Sequence, residues 1–244
     1  MDLFGYDPAV LARYPSVVGG VVLARGVANG PSAPDLQRRF EDEQRWVIAR
    51  IGATPFSDIP SLAAWRKAFR GFGVDPTQYR GAAEALLRRL TKSGEIPSIG
   101  TLVDIGNLVS IRHAIPTAVF DLDRLKPPVR VRFADGSEDF HDIGQSTSVH
   151  PEPGEVVFVD TANVVVARRW CWRQGEAGAA QHDTVNVVIT TEAHHQQGRA
   201  DVEAALRDLQ DLLADYAGGT LSNAILDARS PTFSSSPSGE GEAR

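Results

Sequence analysis

The chain of 244 residues carries a formal net charge of −6, is 42% hydrophobic and contains one cysteine, Cys171. That length and apolar content suffice for one large domain or two small ones, and a lone cysteine excludes both an intramolecular disulfide framework and a cysteine-based zinc cluster, as in a reducing compartment. No run approaches the roughly 20 apolar residues of a membrane span, and the start, MDLFGYDPAV, lacks the basic and apolar regions of a secretory signal, so the chain reads as soluble and cytoplasmic.

Val17 to Ala24 (VVGGVVLA), β-branched and bounded by Pro15 and Gly26, predicts a buried strand. From Pro34 to Ile51, Leu36, Phe40, Val47 and Ile51 fall near helical spacing with charges between them, which predicts an amphipathic helix. A second helix is expected from Ser61 to Phe72, ended by Gly71, Gly73 and Pro76. A third runs from Tyr79 to Lys92, with Ala83, Leu86, Leu87 and Leu90 as its apolar stripe and Gly94 as its stop. Together these make a helical lead-in over about 34–92. Thr101 and Asp104 have the spacing of a helix-capping pair, and the helix they open should finish near His113 because Pro116 disfavours continuation. After Pro128 the pattern turns to β: Val129 to Phe133, a turn at Asp135-Gly136, then Glu155 to Asp160, Val164 to Trp172 and Thr184 to Thr191. Gly198 to Tyr216 returns to helix, with Val202, Leu206, Leu209, Leu212 and Leu213 on one side. Helices first, strands in the middle and one late helix imply an α+β fold, layered mixed or antiparallel sheets with flanking helices, in a single domain over 1–229. Residues 230–244, SPTFSSSPSGEGEAR, have almost nothing to bury and are expected to be disordered.

Known catalytic signatures are missing. The sequence holds no GxxxxGK[ST] loop, GxGxxG turn, GxSxG elbow or HExxH pair, so nucleotide, dinucleotide and serine or zinc hydrolase chemistry have no support and no cofactor is implied. Adjacent His194 and His195 should point to opposite sides of a strand, which disfavours a shared metal. Cys171, between two tryptophans, reads as a buried inert thiol. The segment from Arg66 to Arg132 holds 12 Lys or Arg against 6 Asp or Glu, a local excess suited to phosphate within an acidic chain.

Two blocks carry a resemblance. VDIGNLVSIRHAIPTAVFDLDRL (Val103 to Leu125), and EVVFVDTANVVVARRWCWRQGEA (Glu155 to Ala177) followed by DTVNVVI, resemble the B3/B4 editing domain of the phenylalanyl-tRNA synthetase β subunit. The lead-in WRKAFRGFGVDPTQYRGAAEALLRRL (Trp65 to Leu90), with RRWCWRQGE, resembles the free-standing members of that family. The resemblance implies a trans-editing deacylase that hydrolyses mischarged tRNA without metal or nucleotide, with tRNA and not DNA as partner. The alternative reading is a non-catalytic module of the same fold that binds tRNA or an amino acid.

Departures from the family pattern bear on specificity. Gly106 stands where synthetase pockets carry a threonine and Ala118 where they carry a histidine. Both changes remove polar groups, which argues against tyrosyl-tRNA as substrate, because such discrimination needs polar partners in place. The resemblance assigns Glu176 to the pocket as the carboxylate that meets the misattached side chain, making a guanidine-like group such as canavanine a candidate. Asn107 is assigned to orient the ester or the terminal ribose. Arg169 and Arg173 are candidates for the terminal phosphates, and Trp170 or Trp172 for stacking on the terminal base, with core packing as the other role open to both tryptophans. Arg66 and Arg112 are placed at the border of the site.

Overall fold

The computed structural model describes residues 1–145 and 147–235. In chain order the elements are β1 (Asp2–Tyr6), α1 (Pro8–Arg13), β2 (Val18–Arg25), α2 (Pro34–Ile51), α3 (Pro60–Gly71), α4 (Ala82–Ser93) and α5 (Thr101–His113). Strands follow: β3 (Thr117–Asp121), β4 (Val129–Phe133), β5 (Phe140–His141), β6 (Ser148–Val149), β7 (Val156–Val159), β8 (Val165–Arg168), β9 (Arg173–Gln174) and β10 (Asn186–Ala193). Then come α6 (Gly198–Tyr216), β11 (Thr220–Leu226) and β12 (Thr232–Ser234).

The fold is α+β. One four-stranded antiparallel sheet has the order β11-β2-β10-β3, and a six-stranded sheet has the order β12-β1-β4-β7-β8-β9, with β1 and β4 parallel. Because successive strand residues face opposite ways, each strand of the first sheet feeds two cores. In β2, Val22 and Ala24 join the core beneath α2, α5 and α6, whereas Val21 and Leu23 enter a second core between the sheets, with Phe4 and Phe158. β10 divides likewise, Val187 and Ile189 to the helices and Val188 to the inter-sheet core, and β3 sends Val119 one way and Phe120 the other. The layers are therefore helices, sheet, second core, sheet.

Close approach is permitted at two adjacent glycines of β2. A Cβ on Gly19 would overlap the Tyr6 hydroxyl, and one on Gly20 would stand 2.8 Å from Val202 Cγ1 of α6. Neither position tolerates a side chain without displacing its neighbour.

Both α2 and α6 occupy the spans that periodicity predicts, and α4 stops at Gly94, which takes the left-handed conformation. Other expectations are corrected. Thr101 does not cap α5. Asp104 is fully buried and accepts from the Ser32 hydroxyl (2.6 Å), the Ile99 N–H (2.9 Å) and the Ser98 hydroxyl, so it ties two preceding segments to the first turn. The strand expected to reach Trp172 stops at Arg168, because Arg169 and Trp170 have φ of 46° and 60° and the chain reverses into β9. Between Ser230 and Ser235 the tail is ordered: β12 pairs with β1 and buries Phe233. The remainder of the tail, 236–244, lies outside the described residues.

Candidate functional site

At the edge of its sheet, β3 borders a hollow on each side. Toward α5 there is a cleft of about 340 Å³, walled by Val103, Gly106, Asn107, Thr117, Val119 and Gln174 among others. Toward the inter-sheet core there is a cavity of about 80 Å³, bounded by Ala118, Phe158, Trp170, Trp172, Thr190 and Glu192 among others. Thr117 and Gln174 belong to both walls, so outer cleft and inner cavity adjoin around the sheet edge. Strand parity explains the division: Thr117 and Val119 face α5, and Ala118 faces away.

Local structure places the polar groups. Gly106 lies on the buried side of α5, where a Cβ would stand 3.1 Å from Val119 Cγ2, so the missing side chain keeps helix and strand close. Asn107, the next residue, lines the outer cleft, and its amide makes no hydrogen bond to a described residue. Gln174 Nε2 donates to the Val119 carbonyl (2.7 Å) and the Gly178 carbonyl (3.0 Å). Those bonds clip β9 to β3 and leave the Gln174 amide oxygen at the junction.

Electrostatically the compartments differ. Among the described residues no ionisable side chain lines the outer cleft. The inner cavity has Glu192, only 3% exposed, whose Oε1 accepts from the Tyr6 hydroxyl (2.5 Å) and the Trp170 indole N–H (3.0 Å). Burial pushes its carboxyl up to about 7, against the lowering effect of those two bonds. Beside it, His194 is boxed in by the Trp65 and Trp170 rings at centroid distances of 4.5 and 4.8 Å, and burial pushes it down to about 3, so it is neutral. Burial also raises the Cys171 thiol well above its ordinary value, which leaves it a poor nucleophile.

The sequence-predicted site residues are only partly brought together. Asn107 and Gly106 line the outer cleft, and Ala118, Trp170, Trp172 and Arg173 the inner cavity. Glu176 lines neither: it is exposed at the start of a 3₁₀ turn, Glu176–Gly178. Trp170 is fully buried with its N–H committed to Glu192, so it offers no face for a base to stack on, and of its two open roles core packing is the one observed. Trp172 is half-buried and meets Tyr79 edge to face at 5.0 Å. Arg169 lies over the Tyr79 ring at 3.9 Å, and Arg173 pairs with Asp142. Arg66 is held by Glu84 through bonds of 2.9 and 3.2 Å, and Arg112 by Glu43 and Asp208, and neither lines either hollow. Sequence reasoning missed Glu192. Its signal was parity, since Val188, Thr190 and Glu192 share a strand face and an acidic residue at the end of such an apolar strand needs a partner.

Comparison with known proteins identifies the surroundings of this site. A model of the B3/4 domain matches residues 64–218. The phenylalanine–tRNA ligase β subunits of Bordetella pertussis and Bordetella bronchiseptica are each 27% identical over 176 residues, covering 62% of this chain and 21% of theirs. The chain thus spans about a fifth of the length of these curated relatives. A crystal structure of an N-terminal fragment of the phenylalanyl-tRNA synthetase β subunit from Pyrococcus horikoshii superposes with a TM-score of 0.46 at 14% identity, covering 90% of this chain and 50% of that one. With helix α5, strand β3, Gln174 and Glu192 all inside the matched segment, the chain belongs to the B3/4 domain family.

Proposed function

We propose that this protein hydrolyses the ester of a wrongly charged aminoacyl-tRNA, with the misattached side chain in the inner cavity and the 3′ end of the RNA in the outer cleft. One observation carries the reading: a cleft with no ionisable lining, bearing the amides of Asn107 and Gln174, adjoins a smaller cavity walled by the buried carboxylate of Glu192 and, at its edge, by Arg173, inside the B3/4 segment. At about 340 and 80 Å³ the outer compartment is the roomier one, in the order that a nucleoside and an amino-acid side chain require. The ester then lies at the junction of Thr117 and Gln174.

In the reaction a water oxygen attacks the ester carbonyl carbon, the bond from that carbon to the ribose oxygen breaks, and the water proton ends on the ribose hydroxyl. The products are free amino acid and intact tRNA. An amino-acid ester is already activated, so positioning and oxyanion stabilisation supply the needed acceleration without a serine, histidine and aspartate set. The Asn107 amide and the Thr117 hydroxyl donate toward the developing oxyanion, while the Gln174 amide oxygen accepts from the attacking water. Glu192 takes the selecting role that the resemblance gave to Glu176, and favours a cationic or many-donor side chain such as the guanidine-like group of canavanine on an arginine tRNA. Tyrosine is a poorer fit, because Ala118 offers its hydroxyl no partner.

Purified full-length protein, offered a panel of mischarged tRNAs that includes canavanyl and tyrosyl species, should release the amino acid from at least one cationic or hydroxylated member. Asn107→Ala and Glu192→Gln should each lower that rate by roughly 10–100-fold, the scale of one lost charged or oriented hydrogen bond. A panel left uncleaved at micromolar protein removes the hydrolase reading. A second reading, binding without turnover, is favoured by the lack of any ionisable group lining the outer cleft, and would be recognised by tRNA that binds yet stays charged.

A further inference from the structure

Most large apolar side chains of this protein are covered, but Ile99 is 65% exposed and Ile143 is 57% exposed. Both line the outer cleft. They come from separate elements: Ile99 from the segment that leads into α5, and Ile143 from the loop joining β5 to β6. The Ile99 N–H donates to Asp104 at 2.9 Å, and Asp142, the neighbour of Ile143, pairs with Gly175 and forms an ion pair with Arg173.

The rest of the lining is mostly apolar, with Val103, Val119, Ala179 and Ala180, and its polar groups are uncharged. Asn107 offers a whole amide, Gln174 a free amide oxygen and Thr117 a hydroxyl. A phosphate or a carboxylate finds no cation there. A flat ring with apolar faces and a hydrogen-bonding edge finds a surface for each. The aromatic groups that sequence alone would offer for stacking are unsuited to the task, since Trp170 is sealed in the core and Trp172 already packs against Tyr79.

We infer that Ile99 and Ile143 form an aliphatic clamp for a nucleobase, the terminal adenine of the RNA, beside the Asn107 amide that serves the ester. This rests on the proposed function for the choice of RNA end, but the clamp is a binding device and is measurable without turnover. Burying part of an isoleucine against a base stabilises the complex by about one factor of ten in affinity.

The probe is the ribotrinucleotide CCA with 2-aminopurine as its 3′ base, titrated into the full chain and read by fluorescence. Saturable binding is expected, with Ile99→Ser and Ile143→Ser each weakening it about tenfold and by the same factor at low and high salt, since the contact is neutral. Because both side chains are exposed, thermal melting should be unchanged. An unlabelled competitor ending in an abasic ribose should displace the probe about tenfold less well than CCA itself. The clamp is overturned if wild-type protein does not bind the probe, if both serine variants bind as wild type, or if the abasic competitor matches CCA. Binding that follows this pattern with no deacylation anywhere in the panel sinks the hydrolase and keeps the clamp. Deacylation indifferent to both serine variants, with unchanged probe affinity, does the reverse.

Discussion

Glu192 shares one carboxylate oxygen between the Tyr6 hydroxyl and the Trp170 indole, yet burial still raises its pKa from 4.5 to about 7. A raised carboxylate contributes stability that is complete below its unfolded value and lost as pH climbs through its folded value. The window is therefore pH 4.5 to about 7. Neighbouring His194, lowered from 6.5 to about 3, works oppositely: its contribution is complete above 6.5 and lost as pH falls toward 3. Between 4.5 and 6.5 the two slopes offset, so the net curve of the wild type hides both. Glu192→Gln keeps an acceptor for Tyr6 and Trp170 but cannot titrate. The stability of wild type relative to this variant should fall by about 3 kcal/mol between pH 4.5 and pH 8. Urea unfolding at fixed pH values measures it, and parallel curves for the two proteins would refute the assignment. In the proposed reaction the same titration makes cationic side chains better substrates above pH 7, where the carboxylate is charged.

The reversal between β8 and β9 matters more to the site than either strand. Arg169 and Trp170 both adopt positive φ, an uncommon conformation for residues with a Cβ, and the turn drives the Trp170 ring into the inter-sheet core. Trp170→Ala should destabilise the protein by about 3–5 kcal/mol, the usual cost of emptying a large aromatic site, as a lowered urea midpoint. A loss below about 1 kcal/mol would mean that the ring is not the keystone of this turn. This reversal was not legible in the sequence, because Val164 to Trp172 alternates as a strand would and only tertiary demand bends it. Long periodic elements were legible: α2 and α6 run where their apolar stripes begin and end. β1 and β3 are short, and their partners are remote in sequence. Asn107, Gly106 and Ala118 were named through resemblance to a family pattern, and they line the two hollows. Glu192 was not, since its hydroxyl partner Tyr6 lies 186 positions away. Glu176, named through the same resemblance, lines neither hollow, because position along the chain does not reveal that it stands exposed at the start of a 3₁₀ turn.

As a whole, the molecule is larger than the segment its family defines. Residues 64–218 contain β10 and β3 but not β2, which stands between β10 and β11 and pairs with β10 from Val18 to Arg25. They also lack β1, the source of the Tyr6 hydroxyl. A fragment of residues 64–218 should therefore show no cooperative thermal transition by circular dichroism, since its sheet would lose an interior strand and both cores one wall. A sharp transition like that of the full chain would show the outer strands to be ornament. The glycine pair in β2 gives this dependence an address. Position 19 is spoken for by a phenol and position 20 by a helix, so a methyl group added at the first would dislodge the proton donor of a distant acid, and the same methyl one residue later would loosen α6 from its sheet. Neighbouring letters of the sequence thus govern chemistry and architecture separately, and neither contributes a side chain to the site.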